Sequence, residues 1–304
     1  FTSAPVVRVV IPTNTPVGLY PLMTWPGINS GPAPTVLMPP MNAYGSLVVE
    51  DKTLKLNLAS MYEPAGDGTW TNPAGGDWSV PGNWLDDTVP SGTNATAWFD
   101  KLDLTGDVTV ALGGQETVGN LVFGDTVASH GWTLSNGTIT LATAAGTPMI
   151  DVRRTGGAVT RIQSVLAGTN GVFITGGGSN LIEFHSGSSA SNTYTGLTTI
   201  DGAVVGVATE GVAGEAGSLG LSPSGLEPTN TVLQNGGTIS ARAAVALAAN
   251  RGIVLGGGGG RLDGVVAPLA VDGVVAGEAG RNLATAGAVT LNAANTYNGL
   301  TTVG

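Results

Sequence analysis

The chain has 304 residues, no cysteine, and 11 Lys and Arg against 21 Asp and Glu, for a net charge of −10. These totals exclude disulfides, thiolate metal sites and thiol catalysis, and with no basic stripe they argue against nucleic acid as a partner. Charged residues are 11% where about 25% is usual, glycine is 49 of 304, and no apolar run approaches the ~18 residues of a membrane helix, so membrane insertion of this segment is not expected.

Strand patterns run through the chain. LVVE and TLKLNL, from Leu47 to Leu58 around Asp51-Lys52, predict a hairpin. Residues 1–62 form a strand-rich, proline-rich segment, with a boundary expected near Glu63 to Gly68. Residues 63–98 are loop-rich and hold Trp70, Trp78, Trp84 and Trp98, four of the six tryptophans. From 99 to 304, short apolar runs follow one another. They include DVTVAL from Asp107, NLVFGD from Asn120, TITLA from Thr138, MIDV from Met149 and GVFIT from Gly171. TTIDGAVVGV, TVLQNGGTIS, GIVLG and AVTLNA complete the series, with Gly, Asn and Asp in nearly every gap. AAVALAA, from Ala243 to Ala249, could turn as a helix by propensity, but its flanks favour a strand.

A long repeat selects among all-β architectures. NTYTGLTTI starts at Asn192 and NTYNGLTTV at Asn295. VLAG at Val165 and VVAG at Val274 precede them in the same order, giving two degenerate repeats at about 165–208 and 274–304. The extra residues of the first copy fall in GGGSNLIEFHSGSSAS. Tandem duplication of this kind points to stacked units. The predicted fold is all-β: a right-handed parallel β-helix, or β-solenoid, with coils of roughly 20 residues, a Trp-rich cap and an N-terminal strand-rich segment. Inward Val, Leu and Ile would stack on their own kind, while Gly and Asn take corners that need positive φ. Asn192, Tyr194, Gly196, Asn295, Tyr297 and Gly299 are the repeat positions, with both tyrosines expected to cover corners.

Catalytic and ligand constellations are sparse. The two histidines, His130 and His185, sit among loop residues, and no Gly-X-Ser-X-Gly elbow occurs. GGGGGRLDG, from Gly256 to Gly264, lacks the lysine and helix of a phosphate loop and places Arg261 where the calcium nonapeptide needs glycine. Asp86, Asp87, Asp100 and Asp103, with Asp107, crowd one region; a solvated loop face explains them, with calcium the metal they would suit. No other cofactor is indicated. The tryptophans read first as a plug for a solenoid end and second as a platform for sugar rings.

At these residues the chain resembles the bacterial autotransporter-associated β-strand repeat proteins, which are large secreted or surface proteins. NTYTGLTTI and NTYNGLTTV resemble the family hallmark, and Thr231 to Gly264 resembles its NGGTL…NRGIxLG segment. GTWTNPAGGDWSVPGNW with VGNLVFGD resembles the opening of a repeat unit, and GLYPLMTWPG with LVVEDKTLKLNL resembles the closing part of one. A closing part before an opening one, and a stop within the motif at Gly304, imply further units on either side. The resemblance implies a non-catalytic, extracellular repeat unit of a surface fibre, stalk or adhesin at the bacterial cell surface. Its partners would be copies or neighbouring units of itself, joined end to end by β-strand pairing. The alternative is a carbohydrate-binding module using Trp70 to Trp98 on surface glycans, and more remotely a polysaccharide-degrading β-helix enzyme.

Overall fold

The computed structural model describes residues 6–8, 18–24, 35–37, 43–50, 53–61, 66–153, 156–177, 180–184 and 191–304. His185 and part of the GGGSNLIEFHSGSSAS insert lie outside these residues. The chain divides into two compact units, Phe1–Ala65 and Gly66–Gly304.

In the first unit Thr53–Met61 is the central strand of a three-stranded antiparallel sheet, between Gly18–Thr24 and Ala43–Glu50. Glu50 pairs with Thr53, so the hairpin turns where Asp51-Lys52 placed it. Lys55 Nζ closes on Glu50 at 2.8 Å across this pairing. Val6–Arg8 and Thr35–Leu37 form a separate parallel pair.

The second unit is a β-solenoid of about eight turns. One long sheet has nine strands, running from Gly68–Thr69 through Thr96–Phe99, Asn120–Phe123, Met149–Val152, Val172–Gly176, Thr198–Asp201, Glu227–Gln234 and Arg251–Leu255 to Val275–Gly277. A second has eleven, from Gly76–Asp77 to Thr301–Val303. A third face starts with Gln115–Val118, Thr138–Leu141 and Val165–Ala167. Every pairing within these three sheets is parallel, because each strand lies on the strand one full coil earlier.

Alternation within each short strand sends one set of side chains inward. In the nine-stranded sheet Ala97, Leu121, Ile150, Ile174, Ile200, Leu233 and Leu255 pair in register and are all buried. Each Leu and Ile of this row contributes about 1.5–3 kcal/mol through burial. Corners turn sharply at Asn136-Gly137 (φ 58° and 58°) and Asn235-Gly236 (φ 52° and 78°), where two successive positive φ values favour this residue pair. The coils are longer and less even than the sequence suggested. Val232 pairs with Val254, whereas the step before it, from Thr199 to Val232, is half as long again. The ladder fixes only the short strands, so corners can take insertions without disturbing it.

The two nonapeptides make the same local structure on different faces. Asn192 Oδ1 accepts from Leu166 N (2.8 Å), and Leu166 O accepts from Thr193 N (2.8 Å). In the second copy Asn295 Oδ1 accepts from Val275 N (2.7 Å), and Val275 O accepts from Thr296 N (2.9 Å). Tyr194 and Tyr297 each bond the threonine four residues on, Thr198 at 3.0 Å and Thr301 at 2.6 Å. Leu166 belongs to the third face and Val275 to the nine-stranded sheet, so the second copy is one face out of step with the first. A motif that uses its own Asn to grip the rung below is indifferent to which face it occupies. Gly196 (φ 98°) passes so close that an added Cβ would meet Gly171 N at 2.7 Å, and one at Gly299 would collide with the Arg281 carbonyl.

The two tyrosines differ in burial. Tyr194 is 1% exposed and packs under Gly220, while Tyr297 is half-buried. Asn192 is fully buried, and its Nδ2 also donates to Ser218 O at 2.7 Å; Asn295 is half-buried. Asn192→Ala should cost about 2–3 kcal/mol, since it strands a buried N–H and a buried carbonyl, and Asn295→Ala about 1 kcal/mol. Urea midpoints of the two variants check this; equal shifts would contradict it.

Candidate functional site

Four features outside the regular ladders bear on function. The first is the tryptophan segment. Gly68–Thr69 and Gly76–Asp77 begin the two long sheets, and between and beyond them the chain folds into the first rung's interior. Trp70, Trp78 and Trp84 are 0%, 0% and 2% exposed. Trp84 meets Trp70 edge-on at 5.0 Å and Trp78 at 4.9 Å between ring centroids. Phe99 then stacks on Phe123 at 5.2 Å and leans on Trp132 at 5.3 Å, carrying the aromatic packing into the next rungs. Trp84 Nε1 donates to Trp78 O and Trp70 Nε1 to Asn72 O, both at 2.6 Å. A sugar ring has no access to these three indoles, so the second of the two expectations for them, the sugar platform, does not fit their burial. Trp98 alone faces outward, because Ala97 and Phe99 on either side point in. Its ring is half-buried, with Lys101 Nζ 5.1 Å and Arg153 Cζ 5.7 Å from the centroid.

The second feature is the acidic region. Asp86 and Asp87 are exposed at positive φ, and Asp103 is exposed. Asp100 is paired with Lys101 (3.1 Å) and Arg153 (3.0 Å), so cations of the protein already stand where a metal would have to. Among the described residues no group of three or more His, Cys, Asp or Glu could hold a metal ion.

Asp125, which the sequence did not single out, is the third. It is 1% exposed. Its carboxylate accepts from the backbone N–H groups of Leu104, Val127, Ser129 and His130 and from Ser129 Oγ. Burial pushes the carboxyl up, but the bonds from Leu104, Ser129 and His130 outweigh it and hold the group well below the usual carboxylate range. Ser129 Oγ also lies 2.7 Å from His130 Nδ1, placing hydroxyl between carboxylate and imidazole. A hydrolytic triad needs the imidazole in the middle, so this cluster is a corner brace. Asp125→Asn should cost about 2–3 kcal/mol at neutral pH, as the amide keeps one acceptor oxygen and loses charge-assisted bonds. With the folded pKa depressed, the stabilisation is full above the ordinary carboxylate pKa and is lost as pH falls through the folded value. Urea unfolding from pH 7 down to pH 3 should show the gap between wild type and variant constant to about pH 4 and only beginning to narrow below it, with most of it still present at pH 3.

The fourth is the corner of the longest coil. Here the third face is completed by an antiparallel hairpin, Ala216–Gly217 with Gly220–Leu221. Arg251, fully buried, reaches it from a later rung. Its Nε donates to Glu210 Oε1 (2.8 Å), its Nη1 to Leu219 O (3.0 Å) and to Asn230 Oδ1, and its Nη2 to Gly220 O (3.4 Å). The Glu210 side chain is 3% exposed. Burial pushes its carboxyl above the ordinary value despite the opposing Arg251 charge. Nearby, burial pushes the Tyr194 phenol up to about 12. Between this hairpin and the Thr195–Leu197 corner lies a groove of about 590 Å3.

The second unit is thus a β-solenoid with buried aromatic and ionic braces. A curated relative, the Adhesin BmaC autotransporter of Brucella suis biovar 1 (strain 1330), is 33% identical over 180 residues, 57% of this chain. The matched part is 5% of the adhesin, so the chain spans a small fraction of that protein's length. No family model matches the chain, and no solved structure matches it. Fold and relative together agree with the resemblance to autotransporter-associated β-helix repeat proteins. Among the described residues no helix is long and apolar enough to cross a membrane.

Proposed function

We propose that this chain is a rigid, non-catalytic solenoid segment of a surface-exposed, adhesin-like protein. The observation that carries this reading is the ladder itself: parallel strands stacked rung on rung, with the interior filled by aliphatic and aromatic side chains. Such a column gains length by adding rungs and holds distant parts of a chain apart. The similarity to an autotransporter adhesin supports display outside a bacterial cell. Protease shaving of intact host cells, followed by immunoblotting, tests display; a chain cut only after lysis would sink it.

The finer part of the proposal is end-to-end growth by β-strand pairing, between units of one chain or of neighbouring copies. It is supported by parallel rungs whose backbone groups all point along the axis, as Leu283–Thr285 does to Thr301–Val303. Electron microscopy of the native material should show rods whose length scales with unit number; compact isolated particles would contradict it.

A further inference from the structure

We propose that the groove between the Thr195–Leu197 corner and the 222–230 segment binds an uncharged oligosaccharide, a ligand class chosen on the adhesin-like reading above. Three observations carry it. The coil that builds the groove, from Thr199 to Val232, is half as long again as the next ladder step, from Val232 to Val254, so the excess is not required by the strands. That excess is held rigidly. Asn192 N donates to Gly217 O (2.9 Å), Leu221 N donates to Tyr194 O (2.9 Å), Ser218 Oγ accepts from Ala208 N and Thr209 N, and Arg251 clamps the carbonyls of Leu219 and Gly220. A fixed concavity of about 590 Å3 lies within the range of small-ligand sites and avoids the ordering cost of a mobile loop.

The third observation is the chemistry of the wall. Thr195, Ser224 and Thr229 offer hydroxyls, which donate and accept as sugar hydroxyls do, and Asn230, whose Oδ1 is held by Arg251, offers its amide N–H groups. Leu197, 42% exposed, presents an apolar contact for the C–H face of a pyranose ring. Among the described residues no Lys, Arg or His lines the groove, and Glu227 does, so an anionic ligand finds no counter-charge there and one repelling carboxylate. Nothing at the Trp70–Trp84 cluster competes for this role, since those rings are buried.

The test is an array of neutral gluco-, manno-, galacto- and N-acetylglucosamine oligosaccharides, with sialylated and sulfated glycans as controls, probed with the full 304-residue chain. Two variants accompany it. An added Cβ at Gly225, a lining residue of the groove, meets nothing within 4 Å, so Gly225→Met adds bulk at the groove without a clash. Leu197→Ala removes the apolar contact. Binding to at least one neutral glycan, weakened tenfold or more by both variants with circular dichroism and thermal midpoint unchanged, is the expected result. Absence of neutral binding, binding to the anionic controls alone, or neutral binding unaltered in both variants would overturn it. Beads coated with wild type and Gly225→Met are then tested for attachment to epithelial cells. Attachment by both equally rejects the groove and leaves the adhesin-like reading standing, whereas attachment by neither counts against that reading.

Discussion

Arg251→Met should cost about 3–5 kcal/mol, because it removes one partner of a buried ion pair and leaves the other charge uncompensated. The geometry makes the loss wider than a single contact. Arg251 also bonds Asn230 and the carbonyls of Leu219 and Gly220, so methionine strands several acceptors along the long coil before it. The sign of the pH dependence separates lost charge from lost packing. The Glu210 carboxyl already lies above its unfolded value, chiefly through burial, and loses its counter-charge in the variant. A raised folded pKa stabilises below the unfolded value and loses that stabilisation as pH rises through the folded one. The deficit should therefore be largest at neutral pH and shrink on acidification, and Glu210→Gln with Arg251→Met should recover part of it. A deficit flat from pH 4 to pH 8 would mean that packing alone was lost. Since rungs contact only their neighbours, hydrogen exchange should rise from about Asn192 to Leu255 and stay low in Thr96–Val152.

Trp84→Ala should be of similar size, about 3–5 kcal/mol, from a large cavity in a site that cannot collapse. Trp84 touches both Trp70 and Trp78 and leans on Phe99, so its loss unpacks the whole first rung. The conservative pair of variants is more discriminating. Trp84 Nε1 donates to Trp78 O, whereas Trp78 Nε1 is buried with no hydrogen-bond partner. Trp84→Phe forfeits a buried bond, while Trp78→Phe removes an unsatisfied donor. Trp78→Phe should accordingly be the milder by about 1 kcal/mol. Guanidinium unfolding followed by tryptophan fluorescence measures both, and the reverse order would show the rung packed differently.

The accuracy of the sequence reading follows the range of the interactions involved. Hairpin 47–58 and the strands from Asp107 onward were legible, because period-two alternation and turn residues act over short stretches of chain. Trp98 could have been separated from the other tryptophans by the same rule, since Ala97 and Phe99 flank it. The Asp125 brace had a weaker signal, the Asp followed shortly by Ser129 in a loop. The groove and the Arg251–Glu210 pair had none. They join residues 41 apart through a coil whose length departs from the average, and no local pattern reports which corner a distant arginine will enter.

Two matters divide between the levels. Composition and repetition determined that this chain would be a stacked β structure without thiol chemistry, because cysteine is absent, aliphatic alternation punctuated by Gly and Asn makes short strands, and the tandem repeat selects stacking among the all-β arrangements that could bury them. Only the tertiary structure decided that the two nonapeptides sit on different faces, that three tryptophans are interior, and that one coil swells into a groove. Each of these depends on the length of chain between successive ladder contacts, and backbone pairing is satisfied equally well by many such lengths.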